Sequence, residues 1–340
     1  MAAKIIRTAI VGARGYTGNE LARLLLRHPE VNLVAAFATQ NFSLTDSLLV
    51  QSASAVPCYQ MEEIQADMAD VWFLATPPEV SMQLAPGLIK AGKRVIDLSG
   101  AFRLKKTDYR QWYGFDHCEP ELLSTALYGL VPFASPLVGD LIANPGCYAT
   151  AILMALIPLL KHGCIESDAL VIDAKSGTTG AGRKVREDLL FSEVSADLAP
   201  YKIGRHPHLP EIQEAVQHFA GIDIAPHFTT HLLPVQRGIQ AAIYARSKTR
   251  DASDIANAFA LEFRDQPLVR LQSGPGPLFR LKNVVGTAYT HIAFELVGDQ
   301  LYVFSMIDNL LKGAASQAIE NMNRMLDLPQ ATGLQEGGLS

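Results

Sequence analysis

Residues 6–38 read IRTAIVGARGYTGNELARLLLRHPEVNLVAAFA and predict a strand, a glycine-rich turn, a helix and a second strand. Residues 6–13 and 31–38 are rich in small and β-branched apolar side chains, which are typical of buried strands. Between them, residues 18–29 place leucines at helical spacing and end at a proline. This order predicts a βαβ unit, in which the two strands are parallel neighbours in a sheet.

The same alternation continues through the first half of the chain. Residues 70–78 and 94–100 are predicted strands, and residues 80–92 form an intervening helix that ends at a glycine. Two further apolar segments, LYGLVP (127–132) and LIANPG (141–146), extend the series. We therefore expect an α/β fold with a Rossmann-type, nearly parallel sheet and helices on both of its faces.

The second half of the chain predicts another sheet. Its strand-like segments are ALVIDAKSG (169–177), QAAIYAR (240–246), YTHIAFEL (289–296) and QLYVFSMI (300–307). Because 340 residues with 49% hydrophobic content exceed the usual size of one core, we expect two domains.

We place the domain boundary next to a cysteine that follows Asn-Pro-Gly. Residues 1–146 are predicted to form a dinucleotide-binding domain, and residues 147–311 an α/β catalytic domain. The sheet of the second domain is expected to have one exposed face, which helices or a second subunit must cover. A homodimer or homotetramer is therefore expected.

Composition excludes several classes of protein. The net charge of −5 and the scattered basic residues argue against a nucleic-acid partner. The apolar stretch at residues 149–160 is too short to span a membrane, and the N-terminal apolar run is too short for a secretory signal. Four cysteines without CxxC spacing indicate neither a disulfide framework nor a zinc ribbon. We expect a cytoplasmic protein that binds no metal.

The turn GARGYTG, residues 12–18, lies between the first predicted strand and helix. Glycines allow the backbone to turn tightly and to bring its N–H groups against a pyrophosphate, and the following helix N-terminus favours the negative charge. The alternative is an ordinary glycine-rich turn, and the position between strand and helix favours nucleotide binding. The candidate cofactor-binding residues of this turn are Gly12, Arg14, Gly15, Tyr16, Thr17 and Gly18.

The end of the second predicted strand indicates which dinucleotide binds. NAD-specific sites usually carry Asp or Glu here for the ribose hydroxyls. This chain has Thr39, Asn41 and Ser43 instead, which can donate hydrogen bonds to a 2′-phosphate. The cofactor is therefore predicted to be NADP, unless these residues only form the turn.

Cys147 is the candidate nucleophile. It follows Asn-Pro-Gly and precedes the predicted helix 149–160, and a helix N-terminus lowers the pKa of a cysteine below its free value of about 8.5. The glycine before it leaves room for a substrate. Cys58, Cys118 and Cys164 are interpreted as structural cysteines.

A proton carrier is expected in HPHLPEI, residues 206–212. His206 and His208 stand in a loop just before a predicted helix, where a histidine can act as general acid or base near neutrality. The pair His206 and His208, together with the pair His227 and His231, suggests a zinc site as an alternative, but no acidic or thiol ligand accompanies them at close spacing. We interpret His227 and His231 as structural.

With these segments in place, the chain resembles the N-acetyl-γ-glutamyl-phosphate reductases of arginine biosynthesis, within the semialdehyde-dehydrogenase group. The resemblance extends over about residues 5–328. Eight blocks carry it in the order that the family has: GARGYTG (12–18), DLSGAFRL (97–104), WYGFDH (112–117), ANPGCYAT (143–150), SGTTGAGRK (176–184), HPHLPEI (206–212), LLPVQRGI (232–239) and IDNLLKGAASQAIENMN (307–323).

The resemblance implies roles for particular residues. Cys147 would be the nucleophile and His208 the acid/base, while Glu211 would hold substrate or orient His208. The substrate's phosphate would face Arg103 and Asn144. Residues 176–182 would line the nicotinamide side, and the remaining implied cofactor-binding residues are Ser176, Gly177, Gly180 and Asn309. It further implies that a C-terminal helix, residues 312–328, returns to the first domain.

The chemistry is coherent for these side chains. A thiolate attacks an acyl phosphate, and the resulting thioester accepts hydride from a reduced nicotinamide to release an aldehyde. Arg103 offers a bidentate contact to phosphate. Arg237 is predicted to contact a carboxylate or a phosphate, with a surface ion pair as the alternative.

The identity of the acyl group is less certain than the reaction. The chain departs from the family pattern at residues 128–132, which read YGLVP, and at residues 286–288, which read GTA. Carrier-bound aminoadipyl phosphate and aspartyl phosphate are therefore alternative substrates. A non-catalytic NADP-sensing protein and a Cys-His hydrolase are alternatives from other functional classes.

Overall fold

The computed structural model describes residues 5–134, 138–274 and 276–334. The described residues form two compact units. The first unit comprises residues 5–145 and 314–334, and the second comprises residues 146–313.

The first unit is a doubly wound α/β domain. Its elements are β1 (Ile6–Val11), α1 (Tyr16–Leu25), β2 (Val31–Ala38), β3 (Cys58–Gln60), β4 (Val71–Leu74), α2 (Pro78–Lys90), β5 (Arg94–Asp97), α3 (Tyr109–Tyr113), α4 (Pro120–Thr125), β6 (Leu127–Tyr128) and β7 (Leu141–Ala143). Every strand pairing is parallel, in the order β3-β2-β1-β4-β5-β7-β6.

This strand order puts helices on both faces of the sheet. The chain moves outward from β1 through α1 to β2, and in the opposite direction from β4 through α2 to β5. Because such crossovers are right-handed, the two helices cover opposite faces. The sheet reverses direction between β1 and β4, and in doubly wound folds ligands bind at the carboxyl ends of the strands at this point. The predicted fold class is confirmed.

Helix boundaries in the first unit differ from the sequence prediction. The first helix was expected at residues 18–29, but α1 begins at Tyr16 because Gly15 takes an extended conformation and caps it. It ends at Leu25, well before the proline. The strand expected at residues 70–78 is shorter, since α2 begins at Pro78, and proline favours the first turn of a helix.

The second unit is a mixed sheet covered by helices. Its elements are α5 (Cys147–Lys161), β8 (Val171–Ser176), α6 (Phe191–Val194), β9 (Ala199–Pro200), α7 (His208–Ala220), β10 (His227–Leu232), β11 (Ile239–Arg246), α8 (Ala252–Phe263), β12 (Val269–Ser273), β13 (Thr290–Val297) and β14 (Gln300–Ile307). The strand order is β12-β13-β14-β11-β8-β10-β9, with antiparallel pairing at its centre.

The central helix of this unit is α5. It packs on β11, β13 and β14 and contacts both α7 and α8. Every residue from Tyr148 to Leu160 is buried, as expected for a helix that is apolar on all sides. Its first residue is Cys147, two positions earlier than predicted, because the extended Gly146 caps the helix. The cysteine is therefore the first residue of the helix and is only partly buried.

The chain leaves the second unit through a five-residue π-helix, Leu311–Ala315, after β14. It then forms α9 (Ser316–Met325) in the first unit, where α9 contacts α1 and β5. The C-terminal helix predicted at residues 312–328 is thus shorter and begins with a π turn. In the part of the chain that the structure describes, no helix has the length and apolar character needed to cross a membrane.

Candidate active site

The site of the second unit is built around the N-terminus of α5. The main-chain N–H groups of the first helical turn have no partners within the helix, so this end carries partial positive charge. Cys147 is the first residue of a fifteen-residue helix, and the thiolate form of its side chain is favoured there.

His208 lies directly against the residue that precedes the cysteine. A Cβ atom added to Gly146 would stand 2.3 Å from His208 Nε2, far inside contact distance. A larger residue at this position would displace the His208 ring, so the absence of a side chain lets the imidazole approach the backbone next to Cys147. The structure therefore brings the two predicted catalytic residues to adjacent positions.

Glu211 connects the helix that carries His208 to the cysteine turn. Its Oε1 accepts a hydrogen bond of 2.7 Å from the Gly146 N–H, and its Oε2 lies 3.9 Å from His208 Nε2. The Glu211 side chain is 0% exposed, while that of His208 is 13% exposed. One buried carboxylate thus fixes the Gly146 backbone and faces the histidine, so orienting His208 is the better supported of its two implied roles.

His206 is a packing residue rather than a second proton carrier. Burial, followed by repulsion from His208, lowers the pKa of His206 to about 2, so its ring is neutral near pH 7. Its Nδ1 accepts a hydrogen bond of 3.2 Å from the His208 N–H. The ring packs edge-on against Tyr148, Tyr201 and Phe228.

Two tyrosines near the cysteine remain protonated for the same reason. Tyr201 donates a 2.8 Å hydrogen bond to the Tyr148 hydroxyl. Burial raises the pKa of Tyr201 to about 12, and burial together with the neighbouring Tyr201 raises the pKa of Tyr148 further. Among these aromatic groups, His208 is the one suited to exchange a proton near neutrality.

The π-helix packs directly beside Cys147. A Cβ atom added to Gly313 would lie 2.8 Å from the Cys147 Cβ, so this position also requires glycine. The Gly313 N–H donates a 2.9 Å hydrogen bond to the Asp308 carbonyl, which is an i to i+5 bond of the π type. Single π turns often occur at functional sites.

Two adjacent residues after β14 connect three loops of this unit. Asp308 accepts a hydrogen bond of 3.0 Å from Arg237 Nη2, and its carboxylate is 0% exposed. The Asn309 side chain accepts a hydrogen bond of 2.7 Å from the Gly238 N–H and donates one of 3.0 Å to Thr179 Oγ1. Arg237 therefore makes an ion pair with a buried carboxylate, and its contact with a substrate stays a prediction. Asn309, predicted to bind cofactor, has both side-chain ends in internal bonds.

The loop after β8 contains the other predicted nicotinamide-side residues. A Cβ atom on Gly177 would meet the backbone of residues 236–237 at 2.7 Å, and one on Gly180 would lie 3.2 Å from Ser176 Oγ. Ser176 is buried and donates to the Gly177 carbonyl at 3.0 Å. These residues hold two backbone loops in close contact, and their contact with a cofactor stays a prediction.

The glycine turn of the first unit fits a dinucleotide. Gly12 has a φ of +89°, and a Cβ atom there would stand 2.2 Å from the Ala75 carbonyl oxygen. A Cβ atom on Gly18 would stand 2.3 Å from the Gly12 carbonyl oxygen. Gly15 caps α1, and Tyr16 and Thr17 lie in its first turn. The turn is thus tight enough to present backbone N–H groups and a helix N-terminus to a pyrophosphate.

The end of β2 presents polar side chains without a carboxylate. Thr39 and Asn41 are exposed, and Asn41 Oδ1 accepts a hydrogen bond of 2.6 Å from Gln60 Nε2. Arg14, from the glycine turn, donates to Gln40 at the same place. Ser43 caps a short 3₁₀ turn by accepting from the Thr45 N–H at 3.2 Å. The structure therefore brings a cation to this end of the strand.

Arg103 and Asn144 lie together in the first unit. Arg103 donates 2.8 Å hydrogen bonds to the carbonyls of Asn144 and Leu98. The Asn144 side chain is fully buried and bonds internally with the Ala314 carbonyl at 3.2 Å and with Asn321 Nδ2 at 2.9 Å. Asn144 was predicted to face the phosphate, but its amide is engaged inside the unit, and its carbonyl positions Arg103.

Sequence reasoning missed several polar residues at the strand ends. Asp97 is fully buried at the end of β5 and accepts from Ser99 Oγ at 2.8 Å, and burial raises the pKa of its carboxyl. Thr76 Oγ1 and Ser81 Oγ lie 2.8 Å apart beside the glycine turn. Asp308 and Gly313 were also missed as individual positions. Position was the available signal for three of them, because Thr76 and Asp97 lie near the end of a predicted strand and Asp308 directly follows one.

The described residues contain no set of side chains arranged as metal ligands. No group of three or more His, Cys, Asp or Glu side chains is arranged to hold an ion there. His231 instead lies 3.2 Å from Asp173, and it belongs to β10.

Family models match both units of the chain. Residues 7–138 match the NAD-binding domain of semialdehyde dehydrogenase, and residues 147–309 match the semialdehyde dehydrogenase dimerisation domain. The matched ranges lie on either side of the Asn-Pro-Gly segment before Cys147.

Curated relatives resemble the chain along nearly all its length. It is 40% identical to an N-acetyl-gamma-glutamyl-phosphate reductase of Geobacillus stearothermophilus, covering 97% of this chain and 98% of the relative. It is 38% identical to a protein of the same name from Nitrosomonas europaea, with the same coverage.

Solved structures share the fold. Aspartate semialdehyde dehydrogenase II from Vibrio cholerae superposes with a TM-score of 0.74 at 17% identity, covering 95% of this chain and 99% of that one. Aspartate semialdehyde dehydrogenase with NADP from Candida albicans superposes with a TM-score of 0.65 at 15% identity, with the same coverage. At this identity the likeness concerns the fold alone.

Proposed function

The chain belongs to the semialdehyde dehydrogenase family and, within it, to the N-acetyl-γ-glutamyl-phosphate reductases, and from this premise we propose its reaction. The protein is an oxidoreductase that reduces N-acetyl-γ-glutamyl phosphate to N-acetylglutamate 5-semialdehyde in arginine biosynthesis and releases phosphate. The observation that carries the proposal is the placement of His208 Nε2 against Gly146, the residue before Cys147.

The steps follow from the side chains of the second unit. The Cys147 thiolate attacks the acyl carbon, a C–S bond forms, and the C–O bond to phosphate breaks with its electron pair on the phosphate. When bound, the reduced nicotinamide supplies the hydride that converts the thioester to the aldehyde. Breaking the C–S bond returns the electron pair to sulfur. His208, oriented by Glu211, exchanges the proton at the carbonyl oxygen.

Sulfur suits this site better than oxygen. The same atom has to attack the acyl carbon and later leave as an anion, and a thiolate does both near pH 7. The N-terminus of α5 favours that anion. Arg103 and Arg237 are proposed to bind the substrate's anionic groups, since a guanidinium pairs with phosphate or carboxylate in a bidentate manner.

The substrate assignment is tested in the reverse direction. With phosphate and NADP, the enzyme is expected to oxidise N-acetylglutamate semialdehyde with a kcat/KM at least about 10²-fold above that for aspartate semialdehyde. The longer chain and acetyl group fill a pocket that the shorter aldehyde leaves partly empty. The measurement is initial rate from absorbance at the nicotinamide band.

Each other result points to a different function. A higher kcat/KM for aspartate semialdehyde, or turnover of a carrier-linked substrate alone, would contradict the assignment to arginine biosynthesis. The proposed reaction at Cys147 would still hold in either case. NADP binding without turnover of any aldehyde would indicate a sensor. Hydrolysis of N-acetyl-γ-glutamyl phosphate to the acid and phosphate, without any oxidation of NADPH, would indicate a hydrolase.

For the cofactor we propose NADP, which the first unit would hold at its glycine turn. Two features support this: Thr39 and Asn41 are exposed where an NAD site carries a carboxylate, and Arg14 lies at the same strand end. NADPH is expected to bind at least about 10-fold more tightly than NADH, measured by fluorescence titration. Thr39→Asp is expected to reverse part of that preference by repelling the 2′-phosphate.

A matched substitution controls for the loss of the threonine itself. Thr39→Asn changes the side chain without adding charge and is expected to keep the NADPH preference. Equal dissociation constants for the two nucleotides in the unmodified enzyme would contradict the NADP assignment.

The match to a dimerisation domain indicates an oligomer, and we propose a homodimer or homotetramer. One face of the second sheet packs on α5, while Tyr244 and Tyr302 on neighbouring strands of the other face remain partly exposed. Light scattering after gel filtration is expected to give two or four times 36.9 kDa. A mass equal to one chain at micromolar concentration would contradict this.

We further propose a cytoplasmic location. Four cysteines without CxxC spacing in a chain of 340 residues are typical of a protein of a reducing compartment. Cell fractionation is expected to recover the protein with cytoplasmic marker enzymes.

A further inference from the structure

Residues 181–205, which we call the strap, connect the loop after β8 to the histidine segment at the start of α7. The structure describes every residue of this range, and none of them is buried. Large apolar side chains are nevertheless concentrated here with about half or more of their surface exposed: Val185, Leu190, Phe191, Leu198 and Ile203. Val185 is 88% exposed and Phe191 is 83% exposed. Apolar exposure concentrated in one short segment indicates a binding surface.

The strap has little support from its own backbone. Between residues 186 and 197 its backbone hydrogen bonds join residues three or four positions apart, and α6 is only four residues long. Ala196 and Lys202 have φ angles of +62° and +47°, which residues with a Cβ atom rarely adopt. Because ordering a chain costs conformational entropy, a segment that buries nothing is not stable alone. Its defined shape therefore requires a partner that covers it.

The size and place of the strap favour a second copy of this chain as that partner. The match to a semialdehyde dehydrogenase dimerisation domain covers residues 147–309 and so includes the whole strap. The strap also contains β9, the edge strand of the second sheet. A stable interface uses about 20–30 residues from each partner, and the strap is a segment of this size.

The charges of the strap agree with this partner. Its basic residues are Arg183, Lys184, Arg186, Lys202 and Arg205, and its acidic residues are Glu187, Asp188, Glu193 and Asp197. In a two-fold symmetric dimer each copy presents the same surface, so a matching surface carries both signs of charge. A nucleic acid or an anionic membrane would instead require a predominantly basic surface.

The C-terminal end of the strap supports the proposed acid/base. The Tyr201 N–H donates a 3.0 Å hydrogen bond to the Thr230 carbonyl, and the Tyr201 hydroxyl donates one of 2.8 Å to Tyr148, the residue after the nucleophile. The His206 ring packs edge-on against Tyr201, and its Nδ1 accepts the His208 N–H at 3.2 Å. A partner that covers the strap would therefore stabilise the segment from which His208 projects.

We propose that the strap packs against a second copy of this chain, and that this contact orders residues 201–208, so that the catalytic site of the second unit is complete only in the assembly. The inference rests on the proposed function and adds to it the surface by which two copies meet and the reason why assembly is needed for turnover.

The test places a charge in the proposed contact. Phe191→Asp in the full chain is expected to raise the dissociation constant of the assembly at least about 30-fold, since buried aromatic side chains dominate interface energies. The measurement is molecular mass by light scattering over a dilution series. With N-acetylglutamate semialdehyde, phosphate and NADP, kcat is expected to fall at least about 10-fold at low enzyme concentration and to recover as the concentration rises. NADPH affinity should not change, because the glycine turn lies in the first unit.

Two variants and a second measurement support the comparison. Val185→Asp, at the other highly exposed position, is expected to act in the same direction as Phe191→Asp. Leu261→Asp, at a 64% exposed apolar position on α8, is the matched control and is expected to leave mass and kcat unchanged. Hydrogen exchange, measured without substrate, should show that residues 185–203 and 206–212 lose protection together when the assembly dissociates.

Four results would overturn the inference. They are a single-chain mass for the unmodified enzyme at micromolar concentration, an unchanged dissociation constant in Phe191→Asp and Val185→Asp, dissociation with no change in kcat, and recovery of strap protection in Phe191→Asp on addition of NADP without recovery of mass. The last would show that the chain covers its own strap. Failure of the proposed function is distinguishable, because the unmodified enzyme would then not oxidise N-acetylglutamate semialdehyde, while mass and hydrogen exchange would still decide the inference.

Discussion

Replacing Cys147 by serine is expected to abolish turnover, with a loss of at least about 10⁴-fold in kcat, while NADPH binding stays unchanged. The serine hydroxyl is scarcely ionised at pH 7, so it attacks the acyl carbon poorly. An alkoxide is also a poor leaving group when the bond between the side chain and the substrate carbon has to break after hydride transfer. The substitution replaces the sulfur atom by oxygen and keeps a side chain of similar shape at the first residue of α5. The measurements are rate in the nicotinamide assay and nucleotide affinity by fluorescence titration.

An exposed cysteine provides the control. Cys118 is exposed, and Cys118→Ser is expected to leave kcat unchanged. Iodoacetamide is expected to inactivate the enzyme by alkylating Cys147 before Cys118, because the helix N-terminus favours the thiolate. Burial raises the pKa of Cys58 and of Cys164, so these two should react last. Near-normal activity of Cys147→Ser, or inactivation that follows Cys118 alkylation, would contradict the assignment.

Replacing His208 by asparagine is expected to lower kcat about 10²- to 10⁴-fold, which is the usual contribution of general acid/base catalysis. Asparagine keeps a polar side chain at the start of α7 but cannot exchange a proton near pH 7. The loss should appear mainly in kcat, since Cys147 and the glycine turn are untouched. The pH–rate profile should also lose the limb that reports the histidine.

The neighbouring histidine is the matched control. His206 stays neutral because burial holds its pKa near 2, so His206→Asn removes no proton carrier and is expected to lower kcat much less. The asparagine can still accept the His208 N–H. Thermal unfolding of both variants separates catalytic loss from instability, since the His206 ring packs against three aromatic side chains. The reverse ranking of the two kcat values would show that the roles are exchanged.

Local signals in the sequence were enough for the fold class and for the place of Cys147 at the start of a helix. The alternation of strands and helices predicted the parallel sheet of the first unit, and the strand-like segments of the second half are strands. The residues that define each element lie within a few positions of one another, so a short window contains the cause. Boundaries were less accurate where a cap decided them, as at Gly15 before α1 and Gly146 before α5.

Contacts between distant segments were decided by the tertiary structure. Glu211 reaches the Gly146 N–H across 65 positions, and Asp308 reaches Arg237 across 71. Such pairs depend on which strands are neighbours in the sheet, and here β14 lies beside β11, and β11 beside β8. A sequence pattern does not contain that order.

Two polar residues show most clearly what the sequence alone does not predict. Asn144 and Cys147 stand in one short block, and from the sequence both can face a substrate. The structure buries the Asn144 amide between Ala314 and Asn321, while Cys147 stays partly exposed at the start of its helix. The sequence by itself determined which reactive side chains the protein has and which elements carry them. Only the packing of segments far apart in the chain decided which of those side chains are consumed by internal hydrogen bonds and which remain accessible for chemistry.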